Sequence, residues 1–193
     1  MTWGMITTLR NARLDAITAA FGAGAPRLRL YDGTQPATGG AATNLLCDLL
    51  CSATLAPAAA GGVLTVSAIT TTNAALSGTC TWCRLSTNAG TPIMDAPAGA
   101  AVTTTVTGTA SQDTVTVGSA TGLVIGMYAS GTGIATGARI VDIQGTTIHL
   151  SVENSGAVSG TGTFNWDLVL TPAALTAGQP VSISGFTITD SNL

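Results

Sequence analysis

Short apolar runs separated by glycine are the feature of this sequence that most limits its possible folds. The stretch GTGIATGARIVDIQGTTIHLS, residues 131–151, shows the pattern, with two short runs and glycines on either side of each. Alternation of apolar and polar residues with a period of two is typical of β-strands, and glycine between such runs marks turns. The sequence therefore predicts a chain built mainly of short strands.

The same signals recur along most of the chain. RLRLY (Arg27–Tyr31) alternates strictly and ends at the turn sequence DGTQPATGG. Near the C-terminus the alternation changes phase at Ser184–Gly185, which predicts a β-bulge there. Besides Arg27–Tyr31, we predict strands at Leu45–Cys51, Val63–Ile69, Thr79–Leu85, Thr103–Thr107, Thr114–Val117, Met127–Ser130, Arg139–Gln144, Thr147–Leu150, Trp166–Leu170 and Val181–Thr189.

Only one segment has the spacing of a helix. Ile6, Leu14, Ile17 and Phe21 fall near one helical face, the alanines between them favour helix, and Gly22 can end it. The sequence therefore predicts a single helix over about residues 7–21.

A shift in composition divides the chain. Between Ala101 and Asn165 proline is absent, and Gly, Thr, Ser and Val dominate. We interpret residues 101–165 as a small β-module inserted into a host β domain formed by residues 1–100 and 166–193. The predicted fold class is mainly β: a β-sandwich or barrel-like host domain with one N-terminal helix and a small inserted β domain.

The chain carries little charge. Only 8% of its residues are charged, its net charge is −3, and its six cationic side chains are all arginine, whereas about 25% of residues are charged in typical domains. This balance argues against nucleic acid as a partner. The only basic cluster, Arg10, Arg13, Arg27 and Arg29, is interpreted as a helix face and a strand face that meet solvent or acidic partners.

Such a neutral surface suits a protein that packs against neighbours in an oligomer or a larger particle. The start, MTWGMITTLR, lacks the pattern of a signal peptide, and no apolar run reaches the length of a membrane span. We therefore expect no membrane association, and a protein that stays soluble or assembles in the cytoplasm where it is made.

The residues give no catalytic constellation. His149 is the only histidine, and its alternation with Ile148 and Leu150 points it away from a small core, so we interpret it as structural. GTGIATG (Gly131–Gly137) has the spacing GxGxxxG between short strands, which does not fit a dinucleotide site. Its glycines are interpreted as turns.

The four cysteines leave alternatives open. CDLLC contains Cys47 and Cys51, and CTWC contains Cys80 and Cys83. Four thiolates could bind zinc, and pairs could form disulfides. Residues three apart on a strand face opposite sides, however, so we favour four buried thiols that pack as small apolar groups.

Carbohydrate chemistry has little support either. A glycosidase needs two acids across a cleft with aromatic platforms, whereas aromatic residues are 4% of this chain. We expect Trp3, Trp82 and Trp166 to fill the core. The prediction is a protein that is not an enzyme, with no catalytic, cofactor-binding or metal-binding residue.

Four segments together carry a resemblance to a known group. They are RLRLYDGTQPATGGAATNLLCDLLCS, APAAAGGVLTVSAIT, LSGTCTWCRLSTNAGTPIMD and LTPAALTAGQPVSISGFTITD. In this order they resemble small structural proteins of tailed bacteriophages, encoded near the major capsid protein. The segment SATGLVIGMYASGTGIATGARIVDIQGTTIHLS resembles a β-module of phage tail and fibre proteins, and it interrupts the host domain between Asp95 and Trp166.

The resemblance implies a capsid decoration (cement) protein. Such a protein would bind the outer capsid surface of the virion as a homo-oligomer, with a trimer favoured, and bridge subunits of the major capsid protein. The N-terminal helix, Arg27 and Arg29 are the expected contact elements. The alternatives are another virion structural protein (head fibre, tail or head–tail junction) with an adhesion-type insert, or a domain that binds a glycan or host receptor.

Overall fold

The computed structural model describes residues 4–190 of the chain. Within this range it contains one helix, α1 (Thr7–Ala20), and otherwise strands, which confirms the mainly β fold with one helix. The strands are β1 (Arg27–Tyr31), β2 (Leu45–Leu50), β3 (Val63–Thr65), β4 (Thr72–Asn73), β5 (Gly78–Thr79), β6 (Trp82–Ser86), β7 (Pro92–Gly99), β8 (Val102–Thr107), β9 (Thr114–Val117), β10 (Tyr128–Ser130), β11 (Ile140–Gln144), β12 (Thr147–Leu150), β13 (Thr161–Asn165), β14 (Leu168–Val169), β15 (Ala174–Leu175), β16 (Pro180–Val181) and β17 (Thr187–Thr189).

The chain forms two compact units. The first runs up to Pro97 and resumes at Ala174, and the second comprises Ala98–Ala173. The second unit extends beyond the predicted insert 101–165 at both ends. The reason is β14, which pairs in parallel with the last two residues of β7, Ala98 and Gly99, and thereby belongs to the second unit.

The main sheet of the first unit is formed by β2, β1, β6 and β7, in that order and all antiparallel. One face is apolar, as the alternation in RLRLY predicts, because Leu28 lies opposite Leu49 and Leu85, and Leu30 lies opposite Cys47 and Cys83. Both leucines of β1 are fully buried. The other face carries the charged residues described below.

Three two-stranded ladders complete the first unit: β15 with β5, β16 with β4 and β17 with β3. They change the prediction of one continuous strand over Val181–Thr189. Val181 pairs with Thr72, whereas Thr187 pairs with Thr65, so the segment leaves one partner and joins another. The predicted bulge at Ser184–Gly185 is therefore wrong. The structure has a break between two strands at this point, and Gly185 lies in the break with a φ of +111°.

The helix α1 lies within one residue of its predicted bounds, and tertiary contacts hold it. It has no side-chain cap at its N-terminus, so its stability depends on packing. Leu14 is buried with Leu64 in a small apolar cluster. Asp15 Oδ1 accepts a hydrogen bond from the Ala59 N–H at 2.7 Å, and Asn11 Oδ1 accepts one from the Gly62 N–H at 2.8 Å.

The second unit is a six-stranded antiparallel sheet with the order β10-β13-β8-β9-β12-β11. The chain just before β11 bonds back to the opposite edge, where the Ala129 N–H donates to the Ala138 carbonyl at 2.8 Å. The sheet therefore curls like a half-barrel. Its core includes the fully buried Phe164, Ile148 and Met127, and Trp166 packs partly buried against it.

Four strands, β4, β7, β13 and β15, lie outside all the predicted ones, and the two longest of them show why. β7 contains Pro92 and Pro97, which read as turn residues, and β13 is TGTFN, in which glycine and threonine hide the alternation. Trp82 is fully buried, as expected, and Trp3 lies outside the described residues. Among residues 4–190, no helix is long and apolar enough to cross a membrane.

Candidate functional site

Five charged side chains of the first unit lie on one face of the main sheet, here called the charged face. Its central row crosses the four strands as Asp48, Arg29, Arg84 and Asp95, each directly opposite the next. Two like charges opposite each other in the middle of a sheet repel. The aspartate at each end of the row offsets this repulsion.

The inner half of the charged face is a buried ion pair. Arg84 donates through Nε and Nη2 to the two carboxylate oxygens of Asp95, at 2.6 and 2.7 Å. The side chains are 5% and 0% exposed. Burial would raise the pKa of Asp95, but the hydrogen bonds from Arg84 and from the Gly39 N–H, together with the Arg84 charge, outweigh it and lower that pKa. The hydrogen bonds to Asp95 likewise raise the pKa of Arg84.

Aromatic rings lie beside this pair. Tyr31 and Trp82 stack with ring centroids 4.2 Å apart, and the Arg84 guanidinium lies 5.2 Å from the centre of the Trp82 ring. Burial raises the pKa of Tyr31, against the opposing effect of the nearby Arg29 and Arg84 charges. Both rings are buried, so neither offers an exposed platform for a sugar.

The buried pair holds a long surface segment, residues 32–44, here called the 32–44 loop. The Gly39 N–H donates to Asp95 Oδ2 at 3.1 Å, and Arg84 Nη2 donates to the Gly40 carbonyl at 3.0 Å. Trp82 Nε1 donates to Thr43 Oγ1 at 3.0 Å. The loop is thus ordered by the charged face, and ordered loops of this length on a rigid sheet are commonly binding surfaces.

The outer half of the charged face is partly exposed to solvent. Arg27 Nη1 and Arg29 Nε both donate to the same oxygen of Asp48, at 3.1 and 3.2 Å. Their side chains are 35% and 22% exposed, and that of Asp48 is 28% exposed. Two cations share one anion, which leaves a local surplus of one positive charge.

The structure divides the predicted basic cluster in two. Arg27 and Arg29 pair with Asp48 on the sheet. On α1, Arg13 forms an ion pair with Asp190 at 3.3 Å, and Arg10 donates to the Asp190 carbonyl at 2.7 Å. Helix and strand therefore do not present one common basic surface through these contacts.

The cysteines are buried, and Cys47, Cys51 and Cys80 are free thiols. Burial raises the pKa of Cys47, and it raises the pKa values of Cys51 and Cys80 to about 11. Cys47 and Cys83 flank Leu30 from opposite sides, which separates them by two strand spacings, roughly 9–10 Å and beyond disulfide reach. Within residues 4–190, no three His, Cys, Asp or Glu side chains group as metal ligands.

His149 lies on β12 between the buried Ile148 and Leu150 and is itself half-buried. Its cross-strand neighbours are Asp142 and Thr114. A hydrogen bond from Gln144, with one from the Ile143 N–H, lowers the pKa of Asp142, and the nearby His149 charge adds to this effect. The structure thus places His149 on the outer side of the sheet.

The glycines of GTGIATG act as turns, as interpreted. Gly133 and Gly137 have φ values of +81° and +82°, which favour glycine. A Cβ atom at Gly133 would overlap the Ala157 carbonyl oxygen, so the backbone approaches closely there.

Comparison of the chain with models of known protein families, with curated proteins and with solved structures gives no match.

Proposed function

We propose that the protein is a structural component of a tailed-bacteriophage virion, a decoration protein that binds the outer capsid surface. In this proposal it acts by binding and not as an enzyme. It assembles as a homo-oligomer, most simply a trimer, and bridges neighbouring subunits of the major capsid protein. The resemblance of its sequence segments to small phage structural proteins supports this proposal.

The observation that carries the proposal is the internal use of every cation. The six arginines of the chain each bond an aspartate or a backbone carbonyl of their own unit. A nucleic-acid surface needs several cations aimed outward at phosphates. Arginines that are each held by an acceptor of their own unit do not form such a surface, and this arrangement suits contact with protein neighbours instead.

Exposed aliphatic side chains supply apolar area for such contact. They occur on both units, at Ile6, Leu9, Leu50 and Leu76 in the first and at Val124, Ile125, Val141 and Val169 in the second. Burying apolar area contributes about 25 cal/mol per Å², and a protein that binds only the closed shell stabilises it by mass action. Shell stabilisation therefore needs no catalytic group.

The first experiment is the copy number of this chain in purified virions, measured by quantitative mass spectrometry against the major capsid protein. A ratio near one supports decoration of the whole shell. A ratio of a few per cent places the protein at a vertex, tail or fibre and replaces the proposal with the alternative virion role. Absence from the particle refutes both.

The contribution of α1 can be tested without removing it. Deleting residues 1–22 is expected to abolish capsid binding or trimerisation, but it also uncovers Leu64, which is fully buried. Leu9→Asp changes an exposed position instead and leaves the buried face of the helix intact. If α1 is a contact element, L9D reduces capsid binding or trimer formation by native mass spectrometry, while its thermal unfolding matches the wild type.

A further inference from the structure

We propose that Arg27 and Arg29 form a docking site for a single side-chain carboxylate of a partner protein. The inference rests on the proposed function for the identity of that partner, the major capsid protein. The structure supplies the chemistry, which is a pair of part-buried arginine side chains that share one aspartate.

Charge balance separates this pair from the other arginine sites on the sheet. Arg84 and Asp95 neutralise each other one to one, with two short hydrogen bonds in a buried setting. Arg27 and Arg29 instead converge on Asp48 Oδ2 alone, at 3.1 and 3.2 Å. One carboxylate cannot neutralise two guanidinium groups, so a second carboxylate completes the balance.

The terminal nitrogens of Arg29 lie next to a residue that has no side chain, Gly90. Arg29 bonds Asp48 through Nε, and its Nη1 and Nη2 lie beside Gly90, both 3.4 Å from where a Cβ atom would stand. Gly90 has a φ of +91°, which glycine adopts without strain. The absence of a side chain at this position leaves room beside the Arg29 guanidinium, which also forms a hydrogen bond with Tyr31. A guanidinium has five N–H donors, so Arg29 can donate further hydrogen bonds to a carboxylate.

Arg27 contributes a second donor group from the same face. Its Nε donates to the Asn88 carbonyl at 3.3 Å, which orients the guanidinium beside the tip of the β6–β7 hairpin. Arg27 and Arg29 are two residues apart on β1 and therefore lie on one side of the sheet. A carboxylate at the tip can accept hydrogen bonds from both.

The surroundings favour a carboxylate on a protein over a polyanion. The chain carries a net charge of −3, so it repels nucleic acid at long range while the local surplus attracts one anion at short range. Leu50 lies directly opposite Arg27 and is 39% exposed. The site thus pairs a cationic centre with an aliphatic neighbour, which fits an acidic side chain next to an apolar one.

The site can be tested on the wild-type chain alone, before any capsid is involved. The Nε–Hε signals of its six arginines are recorded by nitrogen-15 NMR during titration with sodium acetate, at ionic strength held constant with sodium chloride. We expect saturable shifts for Arg27 and Arg29 and none for the buried Arg84. Shifts of Arg27 and Arg29 no larger than that of Arg84, or a larger response to inorganic phosphate than to acetate, would overturn the proposal.

The second experiment measures co-sedimentation with capsids assembled without this protein, for the wild type, Arg27→Gln/Arg29→Gln and Arg139→Gln. Arg139 is a matched control, because it also pairs with an aspartate, Asp167 at 2.8 Å, and its side chain is 36% exposed. We expect the double variant to bind about 10- to 100-fold more weakly, the range for losing charge-assisted hydrogen bonds. R139Q should bind like the wild type, and thermal unfolding should show that all three chains are folded.

The outcomes separate this inference from the proposed function. Wild-type binding with an unimpaired double variant refutes the carboxylate site and leaves decoration standing. If the wild type does not bind capsids, the decoration proposal fails, and the acetate titration alone decides whether the carboxylate site exists.

Discussion

The buried ion pair between Arg84 and Asp95 gives the most direct test of how this fold is held together. Replacing Asp95 with valine leaves the Arg84 guanidinium, which is 5% exposed, without its counter-ion. It also leaves the Gly39 N–H without its acceptor. Breaking a buried pair in this way costs about 3–5 kcal/mol, a large part of the roughly 5–15 kcal/mol that stabilises a domain.

The double variant Arg84→Met/Asp95→Val should behave differently from D95V. Replacing both partners with apolar residues removes the desolvation cost of two buried charges, and such exchanges are often neutral or stabilising. Gly39 is exposed, so water can replace the lost carboxylate at its N–H. We therefore expect the double variant to unfold within about 1 kcal/mol of the wild type.

The assay is urea unfolding followed by the fluorescence of Trp82, in a background where Trp3 and Trp166 are replaced by phenylalanine. At an m value of about 2 kcal/mol per M, D95V should lower the midpoint by about 2 M. Hydrogen exchange at the Gly39 amide should be faster in both variants, because its bond to Asp95 at 3.1 Å is lost. The reasoning is refuted if D95V costs less than about 1 kcal/mol, or if the double variant loses as much as the two single variants together.

Three further outcomes follow from particular residues. Because the folded-state pKa of Asp95 is lowered, its contribution to stability is complete above the unfolded pKa of about 3.9 and is lost as the pH falls through the folded-state pKa. Tm measured from pH 7 to 2 should therefore fall more in the wild type than in R84M/D95V. Equal losses of Tm in the two proteins would contradict this prediction. Cys51 and Cys80, with pKa values of about 11, should resist iodoacetamide at pH 8 in the folded protein and react in urea, as judged by mass spectrometry; rapid labelling of the folded protein would contradict their burial. Gly145→Ala should cost about 1–2 kcal/mol for its left-handed backbone alone. Gly133→Ala should cost more, because its Cβ would also overlap the Ala157 carbonyl. Equal unfolding midpoints of the two variants would contradict this difference.

The candidate site could be predicted from the sequence only in part. Arg27 and Arg29 stand out because they alternate with buried leucines in RLRLY, and the same alternation in WCRLS places Trp82 and Arg84 on one face of β6. The residues of each strand alone do not indicate that this face of β1 and this face of β6 lie on the same side of one sheet. The partners Asp48 and Asp95 reach them only through the strand pairing of the main sheet.

The sequence by itself determined those elements whose signal is local. The bounds of β1, β9 and β12 follow directly from alternation between turn residues, and the bounds of α1 follow to within one residue from helical spacing. The period of a strand or helix is a property of consecutive residues, so it can be read without knowledge of any partner.

Tertiary structure decided the pairing. It placed β7 in the main sheet despite two prolines, divided the predicted strand Val181–Thr189 between two partners, and brought Arg13 to Asp190 from the opposite end of the chain. Each of these contacts depends on which distant segments bury their apolar faces together. The register in which those segments pair then determines which charged side chains meet. Local sequence carries no record of that choice, because the same alternating pattern fits many partners equally well.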